Sequence, residues 1–384
     1  MIILDEVQCL PANLLAPIRS ALKTLVDHFG ATVVFCTATQ PAHEVASPWL
    51  VGIEATSILP GEKIAEHFHA LKRVQWNVIE ELWSWEKVAS EMAAKPAVPT
   101  LCVVNTRQQA QDLIAALDKA GMKQEDVLHL STLLCPKHRR AVIAEIKQRL
   151  EDNKTQKEKR PLFLISTTVI EAGVDLSFPR LFRALGPLER IIQAAGRCNR
   201  HGEEGREGGE VIIFKPEDAK APKGWYANCL QATQAMINRG VIEFDDPAVV
   251  TAYFAQLFGD LGKDAGEEIS KARRGLDYEA VAEKFKMIQQ DTVDVFVTGY
   301  HPKDDPEAAQ RILDKIERNG EMTRRLWREA SPFVVSLYSH LVKNNALEVV
   351  PGFRVWKGSY DPRLGIPLNA DISESGPSIG DLIV

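Results

Sequence analysis

The chain has 384 residues, 45% hydrophobic and 26% charged, the make-up of a globular protein with room for two or three cored domains. A net charge of −6 and a pI near 5.9 exclude a general polyanion-binding coat but leave room for a local basic groove, because nucleic-acid affinity follows charge distribution. No apolar run approaches the ~18 residues of a membrane helix. The six cysteines (Cys9, Cys36, Cys102, Cys135, Cys198, Cys229) form no C-x-x-C pair, which points to reduced thiols in a cytoplasm.

The first element, "MIILDE", is an apolar run that stops at Asp5-Glu6. It reads as a buried strand, not as a signal peptide, and its abrupt start implies structural support upstream. Residues 11–30 place Leu14, Leu15, Ile18, Leu22, Leu25, Val26 and Phe29 at helical spacing, with Gly30 as the stop. "ATVVFCTAT" then reads as a second strand, so the opening is a parallel βαβ unit. A candidate edge strand ("RVQWNV") and a helix follow before the break at "KPAVP". From there strand and helix alternate. "TLCVVNT", "VLHLST", "PLFLIST", "PRLFRAL" and "GEVIIF" are strands. The helices between them include one with Thr106 and Gln109 spaced as a capping box, and "PLERIIQAAGRC", with Pro187 near its start. After Pro216 the alternation ends, and helical patches mix with short strands.

Several short segments carry chemistry. Asp5 and Glu6 stand at the C-terminal end of a parallel strand, where α/β proteins place ligands. "TAT" lies some thirty residues on, followed by "VVNTR", "STTVIEAGVD" and "QAAGRCNR". The last fits Q-x-x-G-R-x-x-R with Gln193, Gly196, Arg197 and Arg200. If the helix runs through it, the two arginines share a face and Gly196 lets that face approach another surface. Paired cations of this kind suit the charge on a transferring phosphoryl group.

Taken in order, "LDEVQ", "TAT", "VVNTR", "STTVIEAGVD" and "QAAGRCNRHGE" resemble motifs II to VI of superfamily 2 helicases. "VIEAGVD" and "GRCNRHGE" are similar to the CRISPR-associated helicase–nuclease of type I interference systems. "YEAVAEKFKMIQQDTVDVFV" and "PFVVSLYSHLV" resemble that family's C-terminal domain. The resemblance implies an α/β fold of tandem RecA-like helicase domains: 1–70 the C-terminal part of the first, 71–215 the second, and 216–384 an accessory domain. It implies an ATP-dependent, 3′-to-5′ single-stranded-DNA translocase in prokaryotic antiviral defence, with ATP and Mg²⁺ as cofactors. Single-stranded DNA and an RNA-guided surveillance complex would be its partners. Asp5 is then the Mg²⁺ residue, through water, and Glu6 orients the hydrolytic water. Gly173 and Asp175 lie near the nucleotide, and Gln193, Arg197 and Arg200 face its terminal phosphate. Thr37, Thr39, Asn105, Thr106, Arg107 and Thr167 contact DNA.

Departures from the family pattern are Gln8, Thr168, and "LST" after His129, where an Arg-containing turn is usual. The next helix is basic (Lys137, Arg139, Arg140, Lys147 and Arg149 against Glu145) and offers a substitute contact, although such runs are more often solvated faces. No G-x-x-x-x-G-K-[ST] phosphate loop occurs; "GDLGKD" at 259–264 has the wrong spacing. No His-Asp dipeptide of a nuclease site occurs either, and His67 and His69 lack a third metal ligand. The expectation is a C-terminal portion of the helicase, without its nuclease domain and phosphate loop and inactive alone. The alternatives are one half of a split helicase, or a non-enzymatic fragment that binds DNA or the surveillance complex.

Overall fold

The computed structural model describes residues 1–7, 10, 14–36, 56, 58–60, 63, 66–67, 70–155, 159–171, 174–205, 208–222, 224–260, 266–286 and 291–368. The first unit is β1 (Ile2–Asp5), α1 (Leu15–Phe29) and β2 (Val33–Cys36). β1 and β2 pair in parallel with Asp5 opposite Cys36, so the strand–helix–strand reading of the opening holds. Gly30 ends α1 at φ 62°, a left-handed value that glycine takes without cost.

The second unit is a six-stranded sheet, all parallel, in the order β3-β8-β7-β4-β6-β5. β3 (Val74–Trp83) is followed by α2 (Trp85–Ala93), β4 (Thr100–Val103), α3 (Arg107–Lys119), β5 (Val127–Leu130) and α4 (Pro136–Thr155). Then come β6 (Phe163–Ser166), β7 (Arg180–Ala184), α5 (Leu188–Ala195) and β8 (Gly209–Pro216). β3 is an edge strand, as its sequence suggests. The central strands are near-continuous apolar runs because both faces are covered. Leu101 and Val103 enter the core under α4 and α5, while Cys102 and Val104 enter the core under α2 and α3. That alternation is the two-residue strand period on a sheet with no solvent face.

The expected boundary at 216 falls inside one of these cores. α6 (Trp225–Ile237) and α7 (Pro247–Asp260) send Cys229, Met236, Tyr253 and Leu257 into the same cluster as Leu101 and Val211. The sequence hides this because α6 and α7 add no strand, so the α/β rhythm stops before the core does. α8 (Glu267–Arg274) and α9 (Tyr278–Lys284) follow, and Arg273 Nη2 donates to Ser20 Oγ of α1 at 2.5 Å.

The third unit is a four-stranded mixed sheet, β10-β9-β12-β11, covered by short helices. Its elements are β9 (Thr292–Phe296), α10 (Ala308–Asn319), α11 (Arg324–Ala330), β10 (Val334–Tyr338), α12 (Ser339–Val342), β11 (Ala346–Val350) and β12 (Phe353–Trp356). Its core takes in Leu133 and Cys135 from the second unit.

A strap after β12 ties the two together. Arg363 pairs with both carboxylate oxygens of Asp118 at 3.0 Å, and Gln111 bonds the backbone at Ile366 and Leu368 at 3.2 and 2.9 Å. Gly365, at φ 74°, is where the strap meets Leu133, and a Cβ there would collide with the Leu133 carbonyl. The Cys135 N–H donates to Tyr360 Oη at 3.0 Å, and the Tyr360 hydroxyl also bonds His138 Nδ1, 2.9 Å away. The His138 ring also stacks on Tyr300 at 4.3 Å.

Burial pushes His138 down to about 4 and, on β5, His129 also down to about 4. Both lie below the ~6.5 of an unfolded histidine, so each contributes stability that is present above about pH 6.5 and lost as pH falls towards 4. The thermal midpoint is therefore expected to drop between pH 6.5 and 4.5. His138→Asn should remove part of that slope in melts followed by circular dichroism; an unchanged slope would contradict the assignment.

Candidate functional site

Two sites flank the six-stranded sheet at the C-terminal ends of its strands. The first cleft is the seam with the β1–β2 unit, crossed by the Gln193–Glu6 bond. Asp5 and Glu6 are exposed at the end of β1, where the Asp5 carboxylate accepts the Glu6 N–H at 3.0 Å and Glu6 takes φ 51°. Opposite them, Gln193 on α5 donates from Nε2 to Glu6 Oε2 at 3.4 Å. Gln193 and Glu6 thus meet across the cleft, with Asp5 beside Glu6.

The arginines depart from expectation. α5 ends at Ala195, so Arg197 and Arg200 lie in the turn beyond it and share no helical face. A Cβ on Gly196 would meet the Gln193 carbonyl of its own helix at 3.2 Å, and no other surface lies nearer. Arg197 turns inward at 8% exposure and donates to the carbonyls of Ile170 and Glu171 at 3.1 and 2.5 Å. Arg200 turns outward and pairs with Asp175 Oδ1 at 2.9 Å. Asn199, at φ 47°, braces the turn by donating to the carbonyls of Arg73 and Gly205, each at 2.9 Å. Gly173, Thr37 and Thr39 lie outside the described residues, as do Gln8 and His69.

Beneath the cleft is a buried ionic network that the motif reading overlooked. Glu171 lies between Arg190 at 3.2 Å and Arg183 at 3.7 Å. Burial raises its carboxyl above the ordinary range, against the pull of Arg190 and Arg183. Arg183, fully buried, donates to Asn105 Oδ1 at 2.7 Å and to the Ala184 carbonyl at 2.7 Å. Tyr226 of α6 donates to the same Asn105 oxygen at 2.7 Å. Only glycine fits at 186, where a Cβ would stand 2.8 Å from Tyr226 Oη. Tyr253 of α7 donates to Glu189 Oε2 at 2.7 Å. One signal was available: Arg183 is a cation set between the apolar Leu181, Phe182 and Ala184 of a strand, and such a residue needs a buried partner.

The network claims residues expected at a nucleic-acid surface. Asn105 is 2% exposed, and its amide also donates to the Leu185 carbonyl at 2.8 Å, so its side chain is internal. Thr106 caps α3 through the Gln109 N–H in the capping box expected from the sequence.

The second cleft lies between the sheet and the third unit and has a volume of ≈ 410 Å³. Its α/β side presents Arg107, Thr132, Arg139, Thr167 and Thr168. Thr132 belongs to the "LST" turn that departed from the family pattern, and Thr167 is one of the residues expected to contact DNA. Its other side presents Trp327, Ser331, Ser336, Tyr338 and Asp294. The Arg107 guanidinium stands over the Tyr338 ring at 4.8 Å. Within the basic helix α4, Lys137 is paired with Asp304 and Arg149 with Glu145. Arg139 lines the cleft and has no acidic partner among the described residues. Among the described residues no cluster of three metal-ligating side chains occurs, and no helix is long and apolar enough to cross a membrane.

Residues 97–203 match the family described as CRISPR-associated nuclease/helicase Cas3, C-terminal. Over 58 residues, 15% of this chain and 6% of the relative, the sequence is 59% identical to a CRISPR-associated nuclease/helicase Cas3 of Haloferax volcanii. Over 246 residues, 62% of this chain and 28% of the relative, it is 27% identical to its counterpart in Methanothermobacter thermautotrophicus. The fold is similar to that of T. fusca Cas3 solved with ADP, at a TM-score of 0.64 and 16% identity over 94% of this chain and 53% of that one. The chain thus spans about half of that solved structure and less of the curated relatives. These findings bear out the resemblance read from the sequence and the α/β fold class it implied.

Proposed function

We propose that this chain, which carries the C-terminal portion of a Cas3-type helicase, is the strand-gripping part of an ATP-driven single-stranded-DNA translocase. It would unwind target DNA 3′-to-5′ beside an RNA-guided surveillance complex, in a prokaryotic cytoplasm. One observation carries this reading: the second cleft joins two arginines, several hydroxyls and two aromatic rings in one groove. Hydroxyls and guanidiniums hold phosphates without reading sequence, and aromatic rings accept any base.

The first cleft is the place for the nucleotide. Asp5 fits a Mg²⁺ ion held through water, because its exposed carboxylate offers hard oxygen ligands and the Glu6 N–H engages only Oδ1. The ion would neutralise phosphate charge. Glu6 would orient the attacking water, and Gln193 positions Glu6. Of the two arginines, Arg200 is the one able to turn to a phosphate, while Arg197 holds the 170–171 backbone in place. The 384 residues contain no phosphate loop, so nucleotide binding needs a loop supplied from elsewhere.

The groove is tested by fluorescence anisotropy with a labelled oligo(dT). Arg139→Ala should weaken binding several-fold and lower the slope of log affinity against log salt by about 0.7, the contribution of one phosphate contact on a single strand. An unchanged affinity and slope, or no binding by the unaltered protein, would sink the reading.

A further inference from the structure

We propose that the groove fixes the face a strand presents, with phosphates towards the α/β side and bases towards the third unit, where Trp327 is the stacking residue. The inference rests on the groove reading above and adds to it an orientation and a named platform. Charge decides the orientation. Among the described residues that line the groove, the guanidiniums, Arg107 and Arg139, come from the α/β side, whereas the carboxylate, Asp294, comes from the third unit. A phosphate chain near Asp294 would meet repulsion, and near Arg139 attraction. Ser336 Oγ donates to Asp294 Oδ1 at 2.5 Å, which holds the carboxylate on its own side.

Ring availability then selects the platform. Tyr338 already holds the Arg107 guanidinium over its face. Trp327, on α11, is 37% exposed. Phe353, 1% exposed, meets the indole at 5.6 Å in a T-shaped contact and fixes its plane, so little side-chain freedom is lost when a base arrives. Val334 and Val335 continue the apolar surface beside it. An indole held this way accepts every base, which suits a translocating strand of any sequence.

The experiment compares oligo(dT) with an abasic deoxyribose-phosphate oligomer of equal length, by anisotropy, on the full 384-residue chain. The unaltered protein should bind oligo(dT) about tenfold more tightly. Trp327→Ala should remove that preference while leaving abasic affinity unchanged, and Trp327→Phe should retain part of it. Unchanged abasic binding also shows that the groove has kept its fold. If the unaltered protein binds both oligomers equally and Arg139→Ala weakens both, stacking is overturned and the groove reading stands. A Trp327→Ala protein that keeps the preference likewise overturns the assignment. If the unaltered protein binds neither oligomer, the groove reading itself falls.

Discussion

Glu171→Ala is expected to lower the unfolding free energy by about 3–5 kcal/mol, the usual cost of breaking a buried ion pair from one side. The carboxylate is 1% exposed at the side chain and pairs with Arg190 and Arg183, themselves 9% and 0% exposed. Alanine would leave both guanidiniums in a site with little water. The damage should spread, because Arg183 organises Asn105 and, with it, the Tyr226 contact to α6. Glu171→Gln, which keeps an acceptor of the same shape, should cost less. Asp304→Ala, which breaks the exposed pair with Lys137, should cost under about 1 kcal/mol. Urea denaturation of the three variants gives the order. A Glu171→Ala change no larger than that of Asp304→Ala would show that the cluster contributes little.

The same cluster marks where sequence reasoning reached its limit. Residues 100–103 and 163–166 announce themselves as strands because a doubly covered strand reads as a near-continuous apolar run. The capping box at Thr106 and the stop at Gly30 were legible because each satisfies backbone groups a few residues away. Local chemistry leaves a local trace. The end of α5 left only its C-cap, Gly196: "QAAGRCNR" otherwise suits a helix, but Asn199 closes a turn whose partners, Arg73 and Gly205, lie on other segments. Tertiary bonds outweighed propensity there, and they sent Arg197 inward and Arg200 outward. Asn105 failed as a surface residue for a similar reason. Its partners sit at 183, 185 and 226, and no spacing rule links them. The groove was half visible, through Arg107 and Thr167 on one side, whereas Trp327 and Asp294 come from a unit with no repeating pattern.

In a protein where a phosphate loop completes the first unit, Arg200→Ala is expected to reduce ATP hydrolysis by about 10³-fold or more, the range for a cation that meets transition-state charge. Single-strand binding should change less than about twofold, because the groove side chains Arg107, Arg139 and Trp327 do not include Arg200. The geometry explains the separation. Arg200 is held by Asp175 at 2.9 Å with both side chains well exposed, a pairing worth little in water and readily exchanged for a phosphate. Arg197 cannot make that exchange without giving up the carbonyls of Ile170 and Glu171. Arg197→Ala should therefore lower stability along with hydrolysis, whereas Arg200→Ala should leave the melting midpoint in place. The 384-residue chain alone should show no DNA-stimulated turnover, and adding a separate phosphate-loop half is the direct complement. Turnover by the chain alone that Glu6→Gln abolishes would overturn this account of the first cleft. Equal losses of hydrolysis and strand binding in Arg200→Ala would instead mean that the two clefts are not separate in function.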